Sequence, residues 1–372
     1  MNSPTITAIE TAPVSLAAHP ELVVHGAKGG HERSDFLLVR VTASDGARTE
    51  VGYGEVSATP LWSGEDGTTA QHLIRSVLAP VLLGQPLRPV GGLEHRMDRA
   101  LAANPFTRSG VSIALWDCWA RWLGLPLATV LGGPYRTEVP IKLSLSGDGE
   151  VLRRTHAAAV RAGFGAFKVK VGLGVPGDIA RVAAVRELVG PDAFVGVDAN
   201  GGWSRAEAGR AVALLAPYDV AFVEQPVAAR DIDGLRAVRA LGVPVIADES
   251  VFDMADLTRV IRADAADVVS VYVGKAGGPG RAVELAATAH AFGIRSLIGS
   301  NGELGIGAAA QLHVACAIPH LATDFPSDVI GAHYYAEDVL AEPLDSDGRR
   351  VRLSDRPGLG VVPRPDLVER FR

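Results

Sequence analysis

The chain has 372 residues and a mass of 38.8 kDa, with 48% apolar and 21% charged residues, so a large core can be buried and disorder of the whole is excluded. The formal net charge of −6 argues against nucleic acid or an anionic membrane surface as the main partner. The length exceeds one ordinary domain and fits a barrel of ~250 residues with a smaller second domain.

The first third of the chain predicts an α+β domain, because strand patterns are followed by apolar helical patterns. We expect strands over Thr5–Leu16, Asp35–Thr42 and Thr49–Ala58, then helices over Gln71–Leu83, Leu93–Leu101 and Ser109–Gly124. We place this domain at residues 1–133 and expect the turn-rich tail, 341–372, to return to it.

From Val139 onward, a short apolar strand, a turn and an amphipathic helix recur every ~25 residues. The predicted strands are Ile141–Leu145, Ala166–Val171, Phe194–Asp198, Ala221–Glu224, Val243–Asp248, Val268–Val273, Ser296–Gly299 and Leu321–Asp324. The seven helices between them begin near Glu150, Gly177, Ser204, Asp231, Met254, Pro279 and Glu303, where Ser204 and Asp231 suit N-caps.

Strands that alternate with helices pair in parallel through crossover connections. The simplest closure is an α/β fold, a modified (β/α)8 TIM barrel of the (β/α)7β type, over residues 134–340. An open doubly wound sheet is the alternative. It would want a glycine-rich phosphate turn after its first strand, and Ser146-Gly147-Asp148-Gly149 is a poor one.

Targeting signals are not apparent in the sequence. The segment from Met1 to His25 lacks the pattern of a secretory signal, and no apolar run approaches the ~20 residues that cross a bilayer. Two cysteines, Cys118 and Cys316, are too few for a disulfide framework and form no C-x-x-C motif. We therefore expect a cytoplasmic protein.

Three consecutive barrel strands end in a carboxylate: Asp198-Ala199-Asn200, Glu224-Gln225-Pro226 and Asp248-Glu249-Ser250. The active site of such a barrel lies at the carboxyl ends of its strands, so the three acids are expected to converge. They would repel one another unless a hard cation lay between them, and oxygen-only ligands favour Mg²⁺, with Mn²⁺ as the alternative. The simpler interpretation is that strand-end acids are solvated or cap the helices that follow.

Strand two, Phe167-Lys168-Val169-Lys170-Val171, carries both lysines on one face because strand side chains alternate. In a surface sheet this would be a half-exposed strand. In a barrel the helices cover the apolar outer face, so Lys168 and Lys170 project into the mouth. Their mutual repulsion and desolvation predict a pKa lowered towards neutrality, while nearby carboxylates act in the opposite direction.

The same alternation on strand six points Ser270 and Tyr272 inward and Val269, Val271 and Val273 outward. Tyr272 is either barrel packing, with its hydroxyl satisfied, or an acid or hydrogen-bond donor that faces Lys170 across the site. Lys275 follows the strand, just before Gly277-Gly278.

The last two strands end in polar segments. Strand seven ends at Ser300-Asn301-Gly302-Glu303, which either cradles an anion at the next helix N-terminus or forms a tight turn only. Strand eight ends at Asp324-Phe325-Pro326-Ser327-Asp328, a segment that suits either substrate orientation or plain helix initiation.

Together these residues resemble the enolase superfamily, specifically its muconate lactonizing enzyme subgroup. The resemblance covers nearly the whole chain, and although each motif alone is weak, the ordered set is specific. It includes Ala114-Leu115-Trp116-Asp117, Leu131-Gly132-Gly133, Lys168-Val169-Lys170, Asp198-Ala199-Asn200, Glu224-Gln225-Pro226, Ala247-Asp248-Glu249-Ser250, Gly277-Gly278 and Pro357-Gly358-Leu359-Gly360.

The resemblance implies metal ligands at Asp198, Glu224 and Asp248, with Lys170 as the base and Lys168 steering the substrate carboxylate. It also implies that loops 18–34 and 59–65 close over a small-molecule carboxylate, and that the chain forms a homo-oligomer. Supporting or substrate-binding residues are expected at Asn200, Glu249, Lys275, Ser300, Asn301, Glu303 and Asp324.

Two positions depart from related patterns. Members of the subgroup that racemise use a second lysine on strand six, five residues before the paired glycines, and Tyr272 occupies that position here. Lys275 matches a different basic residue of the family pattern. Mandelate-racemase-like enzymes carry a histidine base after strand seven, where this chain has Ser300 and Asn301. A tyrosine with a pKa near ~10 is a poor base but a passable acid, so two-lysine racemisation is disfavoured.

The expected function is therefore a Mg²⁺-dependent lyase or cycloisomerase that moves the α-proton of a small carboxylate through an ene-diolate. The resemblance implies this chemistry, since enzymes of that superfamily combine a lysine or histidine base with Mg²⁺. Dehydration of a hydroxy acid or hydroxyproline-like amino acid, or cycloisomerisation of a muconate, needs only one lysine. A racemase or epimerase is the enzyme alternative, and an inactive carboxylate-binding barrel is the non-enzyme alternative.

Overall fold

The structure is a computed structural model that describes residues 3–22, 24–30 and 32–372. The predicted capping loop 18–34 includes Val23 and His31, which lie outside the described residues. Within the described part of the chain, no helix is both long and apolar enough to cross a bilayer.

The N-terminal part is an antiparallel sheet covered by helices, as the α+β pattern predicts. The sheet has the order β1 (Thr5–Ala17), β2 (Arg33–Ser44), β3 (Thr49–Val56). The helices are α1 (Pro60–Ser63), α2 (Gly67–Leu73), α3 (Ala79–Leu82), α4 (Val90–Ala100), α5 (Pro105–Leu123) and α6 (Leu127–Val130), and a π-helical turn at Ile74–Leu78 joins α2 to α3. The first turn of α5 begins four residues before the predicted Ser109 because Pro105 has the backbone φ that a helix start requires.

After β4 (Glu138–Pro140), seven parallel strands pair in chain order and curl into a barrel. They are β5 (Leu143–Leu145), β6 (Ala166–Lys170), β7 (Phe194–Asp198), β8 (Val223–Glu224), β9 (Val245–Ala247), β10 (Val268–Val271) and β11 (Arg295–Ile298). Each of these strands lies within one residue of a predicted one or inside it, because the apolar rhythm marks the buried strands.

Helices cover the outside of this sheet. They are α7 (Gly149–Arg161), α8 (Val175–Val189), α9 (Arg205–Leu215), α10 (Ile232–Arg239), α11 (Met254–Ala263), the single turn α12 (Val273–Ala276), α13 (Pro279–Ala291) and α14 (Gly305–Ala317). Ser204 forms a capping box with Glu207, and the Asp231 carboxylate accepts the Gly234 N–H, so both predicted N-caps are present.

The eighth position of the barrel differs from the prediction. Instead of a regular strand over Leu321–Asp324, the chain makes two isolated parallel bridges, from Leu321 to Ser296 and from Ser327 to Ile141. The segment 321–328 therefore closes the barrel between β11 and β5 while running further along it than predicted, so the residue that reaches the mouth comes later in the chain.

Apolar side chains fill the lower interior of the barrel, among them Phe222, Ile246, Val268, Leu297 and Phe325. The outward-facing Val269, Val271 and Val273 pack with the surrounding helices. The inner face therefore becomes polar only towards the carboxyl ends of the strands.

The last part of the chain returns towards the first sheet. Strand β12 (Arg350–Arg352) pairs with β4, and after α15 (Pro365–Val368) the backbones of Arg372 and Thr11 exchange hydrogen bonds of 3.1 and 3.3 Å. The division into domains at 1–133, 134–340 and 341–372 stays a prediction.

Candidate active site

Three buried carboxylates lie at the carboxyl ends of adjacent strands. Asp198 and Glu224 are the last residues of β7 and β8 and pair directly in register, and Asp248 follows β9. Their exposed fractions are 1%, 0% and 1%. Parallel strands lie ~4.8 Å apart, so neighbouring inward-facing side chains meet at this edge.

Lys168 and Lys170 on β6 point into the same edge, as their alternation predicts. Lys168 Nζ lies 3.0 Å from Glu224 Oε2 and 3.7 Å from Asp198 Oδ2. Lys170 Nζ donates to Asp198 Oδ2 at 2.7 Å and to Asn200 Oδ1 at 2.9 Å. Each lysine is therefore held by carboxylates rather than exposed to solvent.

A fourth strand contributes a lysine that the sequence analysis did not identify. Lys142 precedes β5, is fully buried, and lies 3.1 Å from Asp328 Oδ2. The same oxygen lies 3.1 Å from Lys168 Nζ. Asp328 thus bridges two lysines where the barrel closes. The alternation of side chains along residues 141–146 would have predicted that Lys142 points inward.

These contacts determine how the acids titrate. Burial raises the pKa of Glu224 to about 8, and Asp198, Asp248 and Asp328 act in the same direction while Lys168 opposes them. Burial also acts to raise the pKa of Asp198, but Lys170 and Lys168 outweigh it and hold that pKa below its usual value. Of these two carboxylates, Glu224 is therefore the one that the neighbouring lysines neutralise less.

The lysine pKa values differ from the prediction of a shift towards neutrality. Burial does lower the pKa of Lys170, but the adjacent Asp198 outweighs it and the resulting pKa is raised. For Lys168, burial is likewise outweighed by Asp328, Glu224 and Asp198, and the pKa lies well above its ordinary value. Both side chains are therefore ammonium groups in this arrangement.

Asp248 is held on both of its oxygens by residues from beyond β10. Tyr272 Oη donates to Asp248 Oδ2 at 2.8 Å, and Lys275 Nζ donates to Asp248 Oδ1 at 2.6 Å. Lys275 also donates to the backbone carbonyls of Asp248 and Ser270 and does not line the cavity described below. Lys275 therefore positions Asp248, whereas the phenol of Tyr272 faces the cavity.

The Tyr272 ring is fixed by its surroundings. It stacks on Trp62 of α1 with centroids 5.3 Å apart and an interplanar angle of 9°. A Cβ at Gly299 would lie 2.0 Å from the Tyr272 ring, so only glycine at that position leaves room for it. Burial, reinforced by Asp248, raises the pKa of Tyr272 well above its ordinary value, so the phenol keeps its proton.

Asn200 and Glu249 are hydrogen-bonded to each other, and Asn200 connects the pair to Lys170. Asn200 Nδ2 donates to Glu249 Oε1 at 3.1 Å, while its Oδ1 accepts from Lys170. Lys28 of the first capping loop lies 3.2 Å from the same Glu249 oxygen. The predicted supporting pair thus links the β6 lysine to the N-terminal part.

The segment after β11 contributes residues with different roles. Ser300, Asn301 and Gly302 line the cavity, and Asn301 Nδ2 donates to the Ser57 carbonyl at 2.7 Å. Glu303 is buried beside them, accepts from the Ser300 hydroxyl and the Asn301 N–H, and does not line this cavity. It shapes the turn rather than facing a ligand.

Asp324 lies apart from the other predicted site residues. Its side chain is 62% exposed and pairs with Arg295, the first residue of β11, at 2.7 Å. This places it near the amino end of the barrel, because segment 321–328 runs further than the predicted strand. The expectation for Asp324 is corrected: Asp328 occupies the mouth instead.

A cavity of about 190 Å³ lies between the barrel mouth and the N-terminal part. Its floor carries Lys168, Lys170, Asn200 and Asp328. Its roof comes from the described parts of both predicted capping loops, including Gly26, Lys28, Thr59 and Trp62, and from Phe36 of β2. A small polar molecule placed here would contact the lysines on one side and aromatic side chains on the other.

The residues fit a hard divalent cation in their chemistry. All candidate donors are carboxylate oxygens, and Glu224 Oε1 is buried without a hydrogen-bond partner. Among the residues that the structure describes, no three Asp, Glu, His or Cys side chains already form a coordination shell. Lysine ammonium groups lie against Asp198 and Glu224 instead.

Comparison with known proteins identifies this arrangement. Residues 7–132 match the mandelate racemase / muconate lactonizing enzyme N-terminal domain family, and residues 150–367 match the enolase C-terminal domain-like family. The chain belongs to the enolase superfamily. Within it, the matches place this enzyme in the mandelate racemase / muconate lactonizing enzyme subgroup and confirm the modified barrel with an N-terminal cap.

Similar members of the superfamily are isomerases. Muconate cycloisomerase 1 of Rhodococcus opacus is 35% identical over 90% of each chain. The N-succinyl-L-Arg/Lys racemase of Bacillus cereus is 30% identical over 98% of this chain and 97% of its own. A solved muconate lactonizing enzyme from Pseudomonas fluorescens, complexed with muconolactone, is 29% identical, covers 100% of both chains and has a TM-score of 0.92.

Proposed function

We propose that this enolase-superfamily enzyme is a one-lysine cycloisomerase or lyase that acts on a small carboxylate. Lys170 transfers the proton at the α-carbon, and the intermediate is an ene-diolate. Cycloisomerisation is the first candidate, because muconate cycloisomerase 1 is the relative with 35% identity and a protonated Lys170 suits proton delivery to an enolate.

The observation that carries this proposal is the hydrogen bond from Tyr272 to Asp248. Racemisation by two bases requires a second proton acceptor on the opposite face of the α-carbon. The strand-six residue that we propose to face Lys170 is a buried phenol that keeps its proton, and the amine of Lys275 is turned onto Asp248 and backbone carbonyls. This supports one-base chemistry with Tyr272 as a possible acid towards a departing hydroxyl.

Lys168 has a different role. It is locked between Glu224 and Asp328 while still lining the cavity, so its charge is fixed where a substrate carboxylate would lie. A fixed cation stabilises the second negative charge that grows on that carboxylate as the α-proton leaves. Lys168 thus orients substrate, and Lys170 moves the proton.

The proposed cofactor is Mg²⁺, with Mn²⁺ as the alternative, held by Asp198, Glu224 and Asp248. When bound, it supplies the positive charge that stabilises the ene-diolate. Its support here is the oxygen-only donor set, the unpartnered Glu224 oxygen and the raised pKa of Glu224.

A racemase or epimerase is the second candidate, because the racemase relative is matched over nearly the full length of both chains. It would have to return a proton through Tyr272 rather than through a lysine. A barrel that only binds carboxylates is the non-enzyme candidate, and the intact acids and lysines argue against it.

The test is α-proton exchange in D₂O with Mg²⁺, followed by ¹H NMR over a library of carboxylates that includes muconates, β-hydroxy acids and N-acylamino acids. Lactone formation or net loss of water supports the proposal. Exchange with inversion and no other product would replace it with the racemase. Silence throughout, with no Mg²⁺ binding by calorimetry, would leave the non-enzyme interpretation.

Lys170→Ala should reduce both exchange and turnover by at least ~10²-fold, because it removes the only amine assigned to proton transfer. Mg²⁺ binding measured by calorimetry should persist, since the three acids remain. Arg153→Ala, which removes an exposed cation on α7, is the control and should be fully active. Turnover retained in Lys170→Ala would remove Lys170 from this role.

A further inference from the structure

The chain contains five lysines beside 31 arginines, and all five lie at the site just described. Four of them, Lys142, Lys168, Lys170 and Lys275, bind carboxylates inside the barrel mouth. The fifth, Lys28, comes from the first capping loop, and the side chain is 33% exposed. Its contacts give it a role that the proposed proton transfer does not include.

Lys28 belongs to a tight turn that rests on the Lys170 side chain. The backbones of Gly26 and Gly29 exchange hydrogen bonds of 3.1 and 2.9 Å, which fix the turn. A Cβ on Gly26 would lie 3.0 Å from Asn200 Oδ1 and 3.6 Å from Lys170 Cδ. The backbone of the turn thus covers the two side chains that share the Lys170–Asn200 hydrogen bond.

The Lys28 side chain reaches past this turn to Glu249. Its Nζ lies 3.2 Å from Oε1 of Glu249, whose side chain is only 4% exposed. It also lies 5.4 Å from the centre of the Trp62 ring, within the range of a cation–π contact. A buried carboxylate strongly favours a paired cation, so this contact anchors the turn to the barrel.

Glu249 is connected to Lys170 through the side chain of Asn200. The oxygen that Lys28 contacts also accepts from Asn200 Nδ2, and Asn200 Oδ1 accepts from Lys170 Nζ. The amide orientation of Asn200 is therefore set from one side by Glu249 and from the other by Lys170. A continuous run of polar contacts joins the capping loop to the proton-transferring amine.

We propose that Lys28 is a positioning residue: its contact with Glu249 docks the Gly26–Gly29 turn over the barrel mouth and thereby fixes Asn200 and the ammonium of Lys170. Loss of this contact frees the turn and lets the Lys170 side chain take more than one orientation. This inference rests on the proposed function only in assigning proton transfer to Lys170.

The test uses the full chain labelled with [ε-¹³C]lysine, which gives five side-chain NMR signals because there are five lysines. Spectra are recorded at one pH, without substrate, and Lys170→Arg and Lys142→Arg assign two of the signals. In Lys28→Met, the Lys170 signal should shift by more than its linewidth or broaden, and the Lys142 signal should not move. Lys28→Arg, which keeps a cation for Glu249, should retain the Lys170 signal.

Arg33→Met is the matched control, because it removes a cation from the same segment. The Arg33 side chain binds Ser15 and not the barrel. Glu249→Gln should reproduce the Lys170 change, and Lys28→Met should add nothing to it. An unchanged Lys170 signal in Lys28→Met, or equal movement of the Lys142 and Lys170 signals, overturns the inference. Since no substrate is used, that result is independent of whether the proposed reaction is found.

Discussion

The residue that contacts Asp248 from strand six determines which chemistry is available at this site. Tyr272 brings a protonated hydroxyl to within 2.8 Å of Asp248, where a second lysine would bring an amine. A phenol held in its neutral form can give up a proton to a leaving group but is not an acceptor near neutral pH.

Tyr272→Phe should lower kcat by about 10²-fold or more on a substrate found in the exchange assay, because it removes the proposed acid and leaves the ring. KM should change less, since the phenyl group still stacks on Trp62. Phe252→Leu, which alters another ring packed on Trp62 without removing a hydroxyl, is the control. Equal rates for Tyr272→Phe and the parent enzyme would make Tyr272 a packing residue only.

Lys142→Met should reduce the free energy of unfolding by about 2 kcal/mol in urea denaturation. Removing one partner from a buried ion pair costs ~3–5 kcal/mol, and the loss is smaller here because Asp328 keeps Lys168. Arg153→Met, which breaks an exposed pair with Glu150, should stay within ~0.5 kcal/mol. A Lys142 variant as stable as the Arg153 variant would contradict the structural importance of this buried pair.

Sequence alone predicted the acids and the β6 lysines, because strand ends and alternation are local properties. It did not identify Lys28 or Trp62, whose loops carry no periodicity that fixes where they dock. Lys142 was within reach of the same parity argument, but its strand lacked the acidic ending that drew attention to β7, β8 and β9.

At the level of elements, glycine at the end of β11 decides where Tyr272 can lie. Gly299 faces inward, and the space a side chain would fill is taken by the Tyr272 ring and Ser270 Oγ, 2.0 and 2.2 Å from the built Cβ. The position of Tyr272 therefore depends on a neighbouring strand as well as on its own.

Gly299→Ala should displace the Tyr272 ring and cost about 1–3 kcal/mol of stability, because overpacking forces side chains out of their rotamers. The kcat should fall in parallel with that of Tyr272→Phe. Gly209→Ala on α9 is the matched control, since its Cβ would meet nothing within 4 Å and alanine favours helix. Wild-type stability and kcat in Gly299→Ala would contradict the packing described.

Element positions were predictable where a strand is apolar throughout and a helix starts at a capping side chain. The predicted strand at the eighth barrel position was wrong, because two isolated bridges leave no run of strand to detect. Asp324 was misplaced as a result. The short pair β4 and β12 was missed for a similar reason, since each strand has three residues and its partner lies far along the chain.

On the scale of the molecule, a buried histidine ties the barrel helices to the segment that leads into them. His313 of α14 accepts the Ala128 N–H at its Nδ1, 2.9 Å away. Burial lowers the pKa of His313 to about 4. The folded protein therefore keeps this ring neutral over a range where an unfolded chain would protonate it.

Stability should consequently fall as the pH drops from ~6.5 to ~4, because the depressed pKa belongs to the folded state and the unfolded state binds the proton first. The contribution of His313 across that window is about 3 kcal/mol. Burial lowers the pKa of His156 and His333 as well, which acts in the same direction.

Urea midpoints at several pH values between 7 and 4 measure this effect. His313→Asn, whose amide oxygen can accept the Ala128 N–H, should flatten the dependence, whereas His95→Asn on an 81% exposed side chain should not. Parallel curves for all three proteins would show that His313 titrates alike in both states.

The concentration of lysine at one place also affects how the protein can be handled. Apart from the α-amino terminus, every primary amine in the chain belongs to the barrel mouth or its covering turn. Among the lysines, amine-directed dyes, cross-linkers and coupling resins should therefore react first at Lys28, which is the most exposed of the five, and compromise the enzyme as they attach. Immobilisation through the plentiful carboxylates would avoid that loss.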